Sequence, residues 1–289
     1  MTNDVTATSG LVDPVGRHHG SFPEPQKLDS HGPARIIALC NQKGGVGKTT
    51  TTISLAGALA EFGRRVLIID FDPQGAATVG LGVPSGELER SIYDVLMSRE
   101  VSLSDVIVPT AIPGLDLAPA NIDLSAAEVQ LVSEVARESV LSRELRDVAD
   151  QYDVILIDCQ PSLGLLTVNA LTAAHGVLIP LECEFFALRG AALLVETIEK
   201  VADRLNPRLV VDGILATMYD SRTLHAREVV NRVHEAFGDK LLHTVISRTV
   251  KFPDATVAAE PITTFAPTHA GANAYRQLAR ELIARGAIA

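Results

Sequence analysis

Between Asn41 and Thr50 the chain reads NQKGGVGKTT, with two lysines around three glycines. Glycine has no Cβ, so Gly44, Gly45 and Gly47 let the backbone curl around a polyphosphate and aim successive N–H groups at its oxygens. Lys48 brings a point charge for the outer phosphates and Thr49 a hydroxyl suited to a Mg²⁺ that keeps most of its waters, while Val46 and Thr50 complete the cradle. A loop of this kind holds a nucleoside triphosphate. Its first position is Gln42 where the common G-x-x-x-x-G-K-S/T pattern has glycine, and Lys43 stands directly before the glycines. Carboxylates follow farther on: IIDFDPQG delivers Asp70 and Asp72, and YDVILIDCQPSLG delivers Asp158. At the exit of a strand beside a phosphate loop, such groups order metal-bound or attacking water. D-P-Q-G is also good turn chemistry, which leaves Asp70 open between that role and a cap.

Strands and helices must carry these groups. RIIALC before the loop predicts a buried strand, and the apolar spacing after Lys48 predicts a helix that Gly63 ends. Further strands are predicted over Arg65–Asp70, Leu115–Pro119, Val154–Ile157, Val177–Leu181 and Leu209–Met218, with a loop over Gly80–Ser91. Helices are predicted over Ile92–Met97, Leu124–Asp150, Ala191–Leu205, Leu224–Phe237 and Ala270–Ile288. Strand and helix alternate over residues 35–289, which predicts one doubly wound α/β domain. Its sheet is mostly parallel, with helices on both faces and the ligand at the strand carboxyl ends. Residues 1–34 are rich in Gly, Pro, Ser, Thr and Asp with one aromatic, Phe22, and are read as a flexible tail carrying solvated His18, His19 and His31.

The 289 residues suffice for a large core, and 47% hydrophobic with 21% charged residues describes a globular chain. No run of 18 or more apolar residues and no basic-head, apolar-middle leader is present, so a cytoplasmic protein without membrane anchorage is expected. Cys40, Cys159 and Cys183 show no C-x-x-C spacing, which disfavours a disulfide framework, a zinc site or an iron–sulfur cluster. The formal net charge of −10 confines any nucleic-acid contact to a local patch.

KGGVGKTT together with DFDPQG resembles the deviant phosphate loop of the ParA/Soj branch of ATPases, alongside MinD and the nitrogenase iron protein. The resemblance covers essentially all of residues 35–289. It implies a P-loop ATPase using ATP and Mg²⁺ that closes as a nucleotide-sandwich homodimer, in which Lys43 reaches the partner's phosphates. It also implies Asp72 as the residue required for hydrolysis, Asp158 as the carboxylate of the Mg²⁺ water shell, and a switch loop over Pro161–Gly164. The family's DAPPS is DCQPS here. ECEFFALRG resembles the segment before the next helix, where Glu184, Phe185 and Phe186 are expected in dimer contact or packing. TMYDSRT has Met218 where guanine-specific relatives carry lysine, which favours adenine, and the family places adenine between this segment and a late proline loop that Pro267 resembles. YDSRT and ISRTVK resemble segments whose basic residues bind DNA backbone, which selects Arg222, Arg248 and Lys251. The implied activity is chromosome or plasmid partition on non-specific DNA, at the nucleoid, with hydrolysis stimulated by a ParB-like partner. FPDATVAAEPI is less basic than the family's corresponding turn. That keeps open a positioning ATPase for another cargo, and a metabolic ligase of the dethiobiotin-synthetase kind is the further alternative.

Overall fold

The apolar runs separate into strands that share one sheet. The computed structural model describes residues 11–184 and 187–289. In it β1 (Leu11–Val12) and β2 (His18–His19) pair as a small antiparallel ribbon. β3 (Arg35–Leu39), β4 (Val66–Phe71), β5 (Val108–Pro109), β6 (Leu115–Ala118), β7 (Val154–Cys159), β8 (Gly176–Glu182), β9 (Val210–Tyr219) and β10 (Leu241–Ser247) build the main sheet. Its order is β10-β9-β8-β3-β7-β4-β6-β5, and every pairing is parallel except β5 with β6. The doubly wound, mostly parallel sheet expected from the alternation is therefore present.

Period-two alternation sends Ile36 and Ala38 of β3, with Cys40 just beyond it, into one core and Ile37 and Leu39 into the other. Because both faces are covered, such a strand reads as an unbroken apolar run. α1 (Lys48–Glu61) and the helix Ala270–Ala284 cover one face, while the helices Leu165–Ala173, Ala187–Arg204 and Leu224–Phe237 cover the other. The strand preceding the glycine loop lies between β8 and β7, so the loop opens at a point where the winding reverses, the usual ligand position in such sheets.

α1 packs tightly enough to be tested. A Cβ on Gly57 would lie 2.7 Å from both Pro261 Cβ and Thr263 Oγ1. Gly57→Ala gains helix propensity but overpacks this contact, so a net loss of about 1–2 kcal/mol is expected, read as a lower urea midpoint. An unchanged midpoint would show that the contact relaxes freely.

Several expectations change. The predicted helix over 124–150 is broken into Leu124–Gln130, short 3₁₀ turns and Val140–Glu144. Ala136 adopts φ 55°, and Asn169 donates to the Arg137 carbonyl at 2.8 Å while accepting from the Leu141 amide at 3.3 Å. A side chain from the next helix thus supplies bonds that a continuous helix would make internally. β10 lies outside the predicted strands because His243 and Thr244 interrupt its apolar run, and two-residue β5 carries no period at all. The last helix ends at Ala284, with Gly286 at φ 71° turning the chain beyond it.

Residues 11–34 also differ from a solvated tail. Arg17 Nη2 donates to the carbonyls of Leu241 and Leu242 on β10 at 3.0 and 3.3 Å. Buried Asp13 accepts from Arg17 Nε at 2.6 Å and pairs with His243 Nδ1 at 2.8 Å, and the His19 ring stacks on His243 at 4.5 Å. His31 Nδ1 lies 2.8 Å from Asp153. Polar pairs fasten this segment, and a reading based on apolar burial does not detect them.

Candidate active site

β3 feeds the glycine loop, and Asn41 fixes the entry by donating to the Pro180 carbonyl at 2.7 Å and accepting from the Lys43 amide at 3.0 Å. Gly45 and Gly47 take φ 75° and 85°, where a side chain would be strained. Gly47 caps α1 with no side-chain bond, and the first turn contains no acid. The helix N–H groups and the positive end of its dipole are thus left for an anion. Lys48 is buried and curls back, its Nζ 3.2 Å from the Lys43 carbonyl. Thr217 of β9 donates to the Val46 carbonyl at 2.9 Å and ties the loop to the far side of the site.

Strand register assembles the carboxylates. Asp158 pairs with Leu39 on one side and with Asp70 on the other. Thr52 donates to Asp158 Oδ1 at 3.0 Å, whereas the buried Oδ2 has no partner. Burial, and then the charge of Asp70, push the Asp158 carboxyl up to about 7. A fully buried, charge-starved acceptor beside the Thr49 hydroxyl fits the water shell of a Mg²⁺. Among the described residues no three His, Cys, Asp or Glu cluster for a metal.

Asp70 resolves as a loop anchor. It is fully buried, accepting from the Thr78 amide and hydroxyl at 2.8 and 2.7 Å and from the Asp72 amide at 3.3 Å, and burial raises it to about 6. This leaves half-buried Asp72 at the head of the loop, holding the Gln74 amide at 2.9 Å. The segment expected to act as a switch is tied on both sides by one carboxylate: Glu128 Oε1 accepts from Gln160 Nε2 at 2.9 Å and from the Leu166 amide at 3.4 Å.

Met218 lines an apolar cavity of about 290 Å³ together with Gly47, Thr50, Phe252, Pro253 and Tyr275. Its φ of 51° is unusual for a side-chain-bearing residue, a kind of strain that concentrates at ligand sites. Pro267 does not line this cavity, and its carbonyl accepts from Arg276 at 2.6 Å. Phe252 and Tyr275 escaped the sequence reading because Tyr275 fits the helical apolar spacing of a core residue and Phe252 sits in a segment that departs from the family pattern.

Lys43 is not folded over its own loop. Its side chain is 48% exposed, and Nζ pairs with Glu182 at 2.8 Å and with Glu184. Phe185 and Phe186 lie outside the described residues. Arg222 and Arg248 leave the carboxyl ends of the adjacent strands β9 and β10, where Tyr219 pairs Ser247, so both emerge on the face of the glycine loop, with Lys251 just beyond. Each has a carboxylate partner: Asp220 for Arg222 at 2.8 Å, Glu182 for Arg248 at 3.1 Å and Asp254 for Lys251 at 3.0 Å.

A family model described as an AAA domain matches residues 34–211. Sporulation initiation inhibitor protein Soj of Bacillus subtilis is 46% identical over 252 residues, covering 87% of this chain and 99% of Soj. The chromosome partitioning protein ParA of Caulobacter vibrioides is 47% identical, covering 89% and 96%. The chain belongs to the ParA/Soj family of P-loop ATPases. An uncharacterized Mycobacterium tuberculosis protein is 61% identical over 96% of this chain and 87% of its own length. The crystal structure of cobyrinic acid a,c-diamide synthase from Mycobacterium smegmatis with bound ATP analog and magnesium superposes with a TM-score of 0.78. It is 42% identical, over 86% of this chain and 94% of that one. As a ParA/Soj ATPase the present chain is an enzyme of ATP hydrolysis, and its loop, Thr49 and Asp158 suit ATP with Mg²⁺. No helix among the described residues is long and apolar enough to cross a membrane.

Proposed function

We propose that this chain is a partition ATPase: ATP bridges two copies face to face, the dimer grips DNA without regard to sequence, and a ParB-like partner stimulates hydrolysis. The observation that carries this reading is Lys43, an exposed lysine beside the phosphate cradle whose ammonium is turned away from its own loop. Lys48 and the loop amides hold phosphate, and Thr49 with Asp158 serves the Mg²⁺ shell, to which Asp72 also contributes. Asp72 orients the attacking water, and Lys43 neutralises charge developing in the neighbouring subunit, as an arginine finger does. Met218 favours adenine over guanine, with the apolar cavity beside it as the base site.

Arg222, Arg248 and Lys251 support the DNA contact, because they lie on the loop face of an otherwise acidic molecule and would confer nucleoid association. The test is duplex binding with ATP, with ADP and without nucleotide. Tight binding is expected with ATP alone, and only weak residual binding with ADP or without nucleotide. Arg248→Ala is expected to weaken it uniformly across sequences and to lower the salt slope by about 1. No ATP-dependent binding at low salt overturns the partition reading and spares the ATPase, leaving a positioning ATPase for another cargo.

The name of the M. smegmatis structure favours a second reading, an amide-forming ligase on the same scaffold. Such a ligase has no need of Lys43. It would reveal itself as ATP-dependent amide formation on cobyrinic acid.

A further inference from the structure

Glu182 holds two cations at once. It ends β8 with a side chain only 11% exposed, its Oε2 accepting from Lys43 Nζ at 2.8 Å and its Oε1 from Arg248 Nη2 at 3.1 Å. Glu184 takes the same ammonium but is 55% exposed, so water already compensates much of its charge. Glu182 has little water to turn to, and its charge depends on these two partners. Both are cations that the partition reading needs elsewhere: Lys43 on the neighbouring subunit's phosphates, Arg248 on DNA. Arg248 Nη2 also lies 3.4 Å from Met218 Sδ at the wall of the apolar cavity, so an occupant of that cavity touches the guanidinium that Glu182 holds.

We propose that Glu182 is a keeper, a positioning residue that retains Lys43 and Arg248 within one protomer until nucleotide draws two copies together. The proposal rests on the partition reading and deepens it. Before closure, Glu182 lowers the availability of both cations. During closure Lys43 departs while Arg248 keeps Nη2 on Glu182, so no buried charge is stranded, and the other guanidinium N–H groups turn to DNA. A single substitution at Glu182 therefore acts on dimer formation and on DNA affinity, although Glu182 itself is assigned no contact with nucleotide or DNA.

The test is Glu182→Gln, which keeps shape and an acceptor while removing the charge. Combined with Asp72→Ala to block hydrolysis, it is compared with Asp72→Ala alone by sedimentation with ATP and Mg²⁺. One half-exposed ion pair corresponds to about a threefold change per protomer, and since two lysines cross in each dimer the dissociation constant is expected to fall about tenfold. Without nucleotide, Glu182→Gln is expected to bind a short DNA duplex about threefold more tightly through the freed Arg248. A weakened fold loses both properties, so these gains isolate the charge. If either gain is missing, the keeper role is overturned while the partition reading stands. If Asp72→Ala alone forms no dimer with ATP, both fall.

Discussion

Lys43→Ala is expected to lower ATP turnover by a factor on the order of 10³ while leaving the ATP affinity of each protomer within a few-fold, because its charge serves the neighbouring subunit's site rather than its own. The side chain makes no bond to its own loop: its ammonium sits on Glu182 and Glu184, and the cradle uses only the backbone amide and carbonyl of this residue, which alanine retains. Phosphate release and a titration with labelled nucleotide separate the two quantities. Mixing Lys43→Ala with Asp72→Ala then tests action between subunits. Random pairing makes about half the dimers mixed, each with one complete site, so about a quarter of wild-type turnover should return. No recovery under conditions where mixed dimers form would remove the trans role.

Asp158→Asn is expected to act in opposite directions on activity and stability. Turnover should fall by a factor on the order of 10² to 10³, because the carboxylate no longer serves the Mg²⁺ shell. The nucleotide-free fold should become more stable at pH 8. An acid raised from 3.8 to about 7 by burial binds its proton more tightly folded than unfolded, so stability falls as pH rises through that interval. The resulting penalty is complete above pH 7 and absent below about pH 4. Asparagine removes it, with a gain on the order of 1–3 kcal/mol at pH 8 that shrinks toward pH 5. Thermal melts of both proteins at the two pH values read the difference. A lower melting temperature for the variant at pH 8 would contradict the charge-starved site.

What the sequence disclosed about this site follows from distance along the chain. The glycine loop, Lys48 and Thr49 lie within ten residues of one another, and Asp158 ends an apolar strand, so local pattern sufficed for both. Phe252 and Tyr275 reach the cavity from the far end of the chain, and neither residue type distinguishes a cavity wall from a core. Glu182 meets Lys43 across 139 residues, and only the pairing of β3 with β8 brings them together. The broken helix over 124–150 shows a related limit. Its apolar residues suit a helix, yet Val129, Val132 and Val135 face solvent, and Asn169 decides the backbone path from another element. Asp70 and Asp72 read alike in DFDPQG. Only the three bonds to Asp70 separate an anchor from a group free to handle water.

The ribbon of β1 and β2 has a consequence for how copies of this chain behave when crowded. β10 is a terminal strand of the main sheet, and a terminal strand is a template onto which a foreign strand can add. Arg17 occupies the carbonyls of Leu241 and Leu242, and the His19–His243 stack lies beside them. The ribbon is thus a stopper that keeps the sheet from growing beyond one molecule, and a shortened form lacking Arg17 leaves that template open to side-by-side stacking.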